Sequence, residues 1–176
     1  MKSLLYHGSN KIIQKPLFGY GKPYNDYGVG FYCTEDISMA KEWGVSKTED
    51  GYANIYSIDF ENLSVLNLNS ESFTILHWIS ILLENRVFDI SNALALEAKE
   101  YLLKYFLPDY KNFDIIKGYR ADDSYFSFAQ DFINGAISVR QLANAMKLGN
   151  LGTQIVLKRK KAFDSIKFKG YETAGC

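Results

Sequence analysis

The chain has 176 residues, 47% apolar and 15% aromatic, enough for one well-cored domain and short for two, so residues 1–176 are expected to form a single unit. Twenty Lys and Arg offset twenty Asp and Glu, which removes any global electrostatic reason to expect nucleic acid or a membrane surface as partner and leaves only a local patch open. Cys33 and Cys176 have no metal-ligand spacing and are expected to be reduced thiols of a cytoplasmic protein.

The N-terminal stretch MKSLLYHGSNKII has neither the sustained apolar run nor the small-residue cleavage site of a signal peptide. The longest greasy segment, residues 73–83, is about half a bilayer span, so no membrane association is expected. Residues 3–6 form an apolar run that predicts a buried strand ending in a turn at His7-Gly8. KPLFGYGKPYNDYGVG, residues 15–30, holds two prolines, four glycines and four aromatics, more rings than a connection needs and in keeping with a loop that lines a pocket. GFYCT, residues 30–34, predicts the next strand; Thr34 or Asp36 then caps a helix over TEDISMAKEWG that Gly44 ends.

Residues 53–60 and 63–68 alternate as strands, either a hairpin or successive strands with a tight link. Residues 72–106 turn helical in two pieces, the second capped by Ser91. Residues 113–120 predict a strand. A helix over DDSYFSFAQDFINGAIS ends at Gly135, another over SVRQLANAMKLG runs from Ser138 to Gly149, and residues 153–158 form a strand. KAFDSIKFKGY predicts a small helix and strand. The sum is an α+β chain with strands at both ends, helices in its middle and no internal repeat.

No phosphate-loop motif, no strand-to-helix GxGxxG, no His-Glu-x-x-His and no CxxC is present, so no metal is expected. Of the two histidines, His77 lies in the greasiest helix and is expected to be a packing residue. His7, taken alone, is open among core residue, general base and hydrogen-bonding group for a ligand. The paired Asp122-Asp123 suit a helix N-cap and first-turn charge as well as a catalytic role. The KRKK run, residues 158–161, suits a solvated strand end, with steering of an acidic target as the alternative.

YHGS, GVGFYCT and GTQIVL, in that order, together resemble the ADP-ribosyltransferase superfamily, in the branch of diphtheria-toxin-like and poly(ADP-ribose) polymerase-like enzymes with a His, Tyr, Glu signature. LYHGSN, NDYGVGFYCT, AKEW, YRADDSYFSFAQDFINGAIS and LGTQIVLK resemble more closely, over nearly the whole chain, the bacterial family DUF3990 within that superfamily. The resemblance implies an ADP-ribosyltransferase-like split mixed β-sheet with a helical insertion. It also implies NAD as substrate and an acceptor protein or nucleic acid. A toxin or effector role with an antitoxin protein as partner is part of the same implication.

Carried over, His7 bonds ribose hydroxyls on the adenosine side, the Gly8 backbone holds the nicotinamide amide, and Ser9 adds a hydroxyl. Tyr32 stacks on nicotinamide, with Gly28 and Gly30 letting the backbone bend around the ring. Arg120 meets a phosphate. At the start of the last strand Gln154 stands where many relatives have glutamate, so it bonds a ribose hydroxyl without supplying charge. Either Asp122 or Asp123 then supplies the carboxylate, or the site is weak or non-catalytic. NAD hydrolysis, a non-catalytic NAD or ADP-ribose binding module, and an interaction protein are the alternatives.

Overall fold

The strand at the N-terminus does not stop at His7. In the computed structural model, which describes residues 2–121, 123–148 and 152–176 and leaves the side chains of 123 and 124 undescribed, β1 (Lys2–Ser9) runs on through His7 and Gly8. The reason is its partner, since β3 (Gly51–Asp59) pairs antiparallel along all of it, with His7 opposite Asn54 and Gly8 opposite Ala53. The turn expected at His7-Gly8 is therefore strand interior. β7 (Ile166–Ala174) takes the other edge of β3, completing a three-stranded sheet in the order β1-β3-β7.

A second sheet holds β2 (Phe31–Cys33), β4 (Val65–Asn67), β5 (Ile115–Tyr119) and β6 (Thr153–Leu157) in the order β2-β6-β5-β4. It is mixed, because β4 runs parallel to β5 while the other pairs are antiparallel. β3 and β4 are thus not a hairpin and do not pair at all: a short link carries the chain from one sheet to the far edge of the other. Period-two alternation is the same for either outcome, so the sequence pattern does not choose the partner.

The described residues also form six helices, which makes the protein α+β with two sheets. α1 (Ile37–Gly44) follows β2, and the Asp36 carboxylate accepts from the amides of Ser38 and Met39 at its N-terminus. α2 (Ile75–Asn85) opens with a capping box in which the Thr74 hydroxyl and the His77 ring serve the first turn reciprocally. His77 also packs edge-on against Phe73 and Phe106, in keeping with a packing role. α3 (Ala93–Tyr105) is capped by Asn92, not Ser91. Ser91 is committed elsewhere, its amide and hydroxyl both donating to Asn134 Oδ1 at 2.9 and 2.8 Å. α4 (Asp123–Ile133) is followed by Gly135 at φ +80°, and α5 (Val139–Leu148) by Gly149, which lies outside the described residues. α6 (Lys160–Ser165) leads into β7.

Alternation along β2 and β6 divides the core in two. Phe31, Cys33, Ile155 and Leu157 face the first sheet and meet Leu5, Tyr56 and Ile58. Tyr32 and Val156 face the opposite way, toward Trp78, Ile79, Leu82 and Leu142 of the helices. Cys33 is fully buried, and burial pushes its thiol well above the usual range. The edges of the two sheets meet at one isolated bridge among the described residues, where Tyr6 and Thr34 exchange amide-carbonyl bonds of 2.8 and 2.9 Å. No described helix is long and apolar enough to cross a membrane.

Candidate functional site

Past the Tyr6–Thr34 bridge β1 and β2 no longer pair, and a cleft of about 900 Å³ lies between His7-Gly8-Ser9 on one side and Gly30-Phe31-Tyr32 on the other. Gln154 enters from β6, Trp43 from α1, Arg86 from the C-cap of α2, and Arg120 and Ala121 from the end of β5. Seven residues singled out in the sequence, His7, Gly8, Ser9, Gly30, Tyr32, Arg120 and Gln154, therefore line one space. Asp122 lies outside the described residues, and although Asp123 begins α4 its side chain is also outside them.

His7 is locked in place. Its Nδ1 lies 2.6 Å from the Tyr32 carbonyl oxygen, which has no proton to give, so Nδ1 carries the proton and Nε2 is left as an acceptor. The imidazole stacks on Phe31 at 4.2 Å between ring centroids. Burial lowers its pKa below the usual 6.5, the Tyr32 bond opposing only in part, so His7 is a neutral hydrogen-bond acceptor at neutral pH.

Tyr32 is tied down at its far end. Its hydroxyl donates to the Gly28 carbonyl at 2.6 Å and accepts from the Tyr27 amide at 3.0 Å. Gly28 has φ +75°, a left-handed turn that a side chain rarely adopts. The bend before β2 is thus built around Tyr32. At Gly8 the reason for glycine differs from the one expected: a Cβ there would lie 2.0 Å from the Ala40 carbonyl oxygen and 2.7 Å from Trp43 Cβ. The missing side chain admits α1, not a ligand. Gly30 likewise makes room for β6, since its Cβ would meet Val156 Cγ1 at 2.7 Å.

The loop from 10 to 30 contributes the rest of the wall, as its aromatic content suggested, with Lys15, Leu17, Tyr20, Lys22 and Asp26 among the lining residues. Asn54 and Tyr56 of β3 hold its start: Asn54 Oδ1 accepts from the Ile13 amide at 2.8 Å, and the Tyr56 hydroxyl donates to the Ile13 carbonyl at 2.5 Å. Lys158 holds its end, donating to the carbonyls of Tyr27 and Val29. Burial pulls the Lys158 amine down to about 8. The expectation of a solvated strand end over 158–161 therefore fails at its first residue and fits only the exposed Arg159, Lys160 and Lys161.

Asp26 and Arg86 were not singled out from the sequence as site residues. The Asp26 carboxylate, buried, accepts from Arg86 Nη1 at 2.8 Å and from the Ala121 amide at 2.9 Å, pinning the loop to the segment after β5. Burial raises its pKa against the Ala121, Arg86 and Arg120 interactions that lower it. Asp26 sits in NDYG and Trp43 in AKEW, runs that stood out as strings, yet neither has a local signature of a cleft residue. Arg120 lies over the Trp43 ring at 5.0 Å. Among the described residues, two buried polar atoms here have no hydrogen-bond partner, Trp43 Nε1 and Gln154 Oε1. Among the described lining residues the cations Lys15, Lys22, Arg86 and Arg120 face a single carboxylate, Asp26.

The fold and cleft define a class: an α+β protein of two sheets, with a cleft where two strands part beside the start of the last strand of the second sheet. The family model described as a protein of unknown function (DUF3990) matches residues 3–168, and the chain belongs to that family. No curated protein and no solved structure matches the chain.

Proposed function

We propose that the protein is an NAD-dependent ADP-ribosyltransferase of the split-sheet ADP-ribosyltransferase-like fold, cleaving NAD in this cleft and passing ADP-ribose to a macromolecular acceptor. The observation that carries this reading is convergence: His7, Tyr32, Arg120 and Gln154, spread over nearly the whole sequence, line one cleft. Two further features support it. The excess of cations suits a diphosphate, and the unpartnered Gln154 Oε1 and Trp43 Nε1 offer an acceptor and a donor to a polar ligand.

Transfer breaks the bond between ribose C1′ and the nicotinamide nitrogen. The bonding electrons leave with nicotinamide, the sugar passes through an oxocarbenium-like state, and an acceptor nucleophile bonds C1′ while its proton goes to solvent. This needs positioning and charge stabilisation more than acid-base chemistry. His7 Nε2 accepts from a ribose hydroxyl, Tyr32 offers its ring to nicotinamide, and Arg120 meets the diphosphate. Gln154 bonds a ribose hydroxyl. The cellular role that goes with this activity is that of a bacterial toxin or effector held by an antitoxin protein.

Gln154, neutral where charge is wanted, favours one second reading, a non-catalytic NAD or ADP-ribose binding module. Calorimetry with NAD and an assay of nicotinamide release separate the two. The enzyme binds NAD and releases nicotinamide, Gln154→Ala loses at least tenfold of the release, and Gln154→Glu gains about tenfold, equivalent to about 1.4 kcal/mol of transition-state stabilisation. Binding without release in the wild type supports the binding module. Binding of neither NAD nor ADP-ribose in the same calorimetry overturns both.

A further inference from the structure

The cleft leaves the acceptor unnamed, but the loop beside it has a chemistry of its own. Between residues 11 and 25 the chain carries Lys11, Lys15 and Lys22 and no acidic residue. Within the same stretch Leu17, Phe18, Tyr20 and Tyr24 are all more than half exposed, Tyr20 at 72%. The chain has two buried cores elsewhere, and four large side chains left in water within eight residues form a cluster of the kind that marks a contact surface.

The loop is presented, not loose. Asn54 and Tyr56 fix it near Ile13, Lys158 and Tyr32 fix it at 27–29, and the Phe18 ring rests edge-on against Phe163 of α6 at 5.6 Å. Lys15, Tyr20 and Lys22 reach the cleft, whereas Lys11, Phe18 and Tyr24 are not among its lining residues. A polymer lying on the exposed rings thus continues to the mouth of the cleft.

Lysines without acids select a polyanion, and exposed ring faces between them select flat groups free to stack. A duplex offers phosphates but hides its base faces, while a single strand offers both. We propose that residues 11–25 dock a single-stranded nucleic acid and present it to the cleft as the acceptor. The docking is independent of the NAD reading; the role as acceptor rests on it. In the transfer a ring nitrogen, exocyclic amine or hydroxyl of the strand bonds C1′ as the C1′–nicotinamide bond breaks, and that group's proton passes to water.

The test is fluorescence anisotropy without NAD, using labelled 12-nucleotide single strands of mixed sequence, as RNA and as DNA, and the matching duplexes. The expected result is micromolar binding of a single strand, at least tenfold tighter than its duplex. Its logarithmic salt slope is about −2, from about 0.7 per phosphate contact for three lysines. The Phe18→Ala/Tyr24→Ala double variant weakens binding about tenfold, and Lys11→Gln flattens the slope by about 0.7. Neither variant touches the cleft lining, so their NAD calorimetry matches the wild type and shows the cleft intact. Absence of single-strand binding, equal or tighter duplex binding, or an unaffected double variant overturns the proposal, as does transfer of label from adenine-tagged NAD to protein alone in a cell lysate. NAD binding without strand binding sinks only this inference, and strand binding without NAD binding sinks the activity and the acceptor role with it while the docking stands.

Discussion

His7 shows how a single buried bond sets a residue's chemistry. Because the Tyr32 carbonyl takes the Nδ1 proton and burial lowers the folded pKa, the unfolded chain binds a proton near pH 6.5 that the folded one refuses. The stability tied to neutral His7 is complete above pH 6.5 and is lost as pH falls toward the lower folded pKa. Urea unfolding from pH 7.5 down to 5 is expected to show a steeper loss for the wild type than for His7→Gln; parallel curves would mean that His7 titrates normally. Gly8 makes a different point. The sequence marks it correctly as a residue that must lack a side chain, but the reason lies in α1, whose Ala40 carbonyl would sit 2.0 Å from any Cβ. Gly8→Ala forces two backbones apart and is expected to cost about 3 kcal/mol, measured as a drop in unfolding free energy in the absence of any ligand. A residue type is legible from one sequence; the neighbour that demands it, arriving thirty-odd positions later in the chain, is not.

At the scale of elements, what the sequence made plain was local and what it hid was partnership. Caps at Asp36 and Ser138, the helical periods of α1 to α5 and the strands at both termini follow from short-range patterns. That β3 and β4 belong to different sheets does not, because alternation is blind to the partner. Lys158 is the sharpest case: in KRKK it looks like one more solvated charge, and only the fold shows it reaching in to hold the bend before β2. Its folded pKa of about 8 lies below the free value of 10.5. As pH rises from 8, the folded state gives up its proton first and the cost of burying the cation is relieved, while the neutral amine keeps two N–H groups for the two carbonyls. Unfolding free energy is therefore expected to rise from pH 8 to 9.5 in the wild type, relative to a Lys158→Met variant in which that rise is missing. The same variant is expected to exchange the amides of residues 27–30 faster, having lost the tether.

In the whole molecule the cleft is placed where the two sheets have least direct hold on each other. Their edges share the Tyr6–Thr34 bridge, and past it His7 on one sheet faces the cleft with Tyr32 and Gln154 on the other. That convergence was the part of the site the sequence made legible, because each residue sits in a recognisable short run; the Asp26–Arg86–Ala121 clasp beside it was not, since its members share no spacing. A ligand filling such a cleft is a cross-link between sheets. If NAD binds there as proposed, at a hundred times its Kd it is expected to add about 2.7 kcal/mol, which for a chain of 176 residues raises Tm by roughly 5 to 10 °C. Position matters more than size here. If NAD spans the parting of β1 and β2, amide exchange slows on both sides, in His7 to Ser9 of the first sheet and in Phe31 to Cys33 and Thr153 to Ile155 of the second. A ligand seated against one wall protects that sheet alone, and exchange confined to one side would place NAD, or whatever binds, elsewhere than across His7, Tyr32 and Gln154.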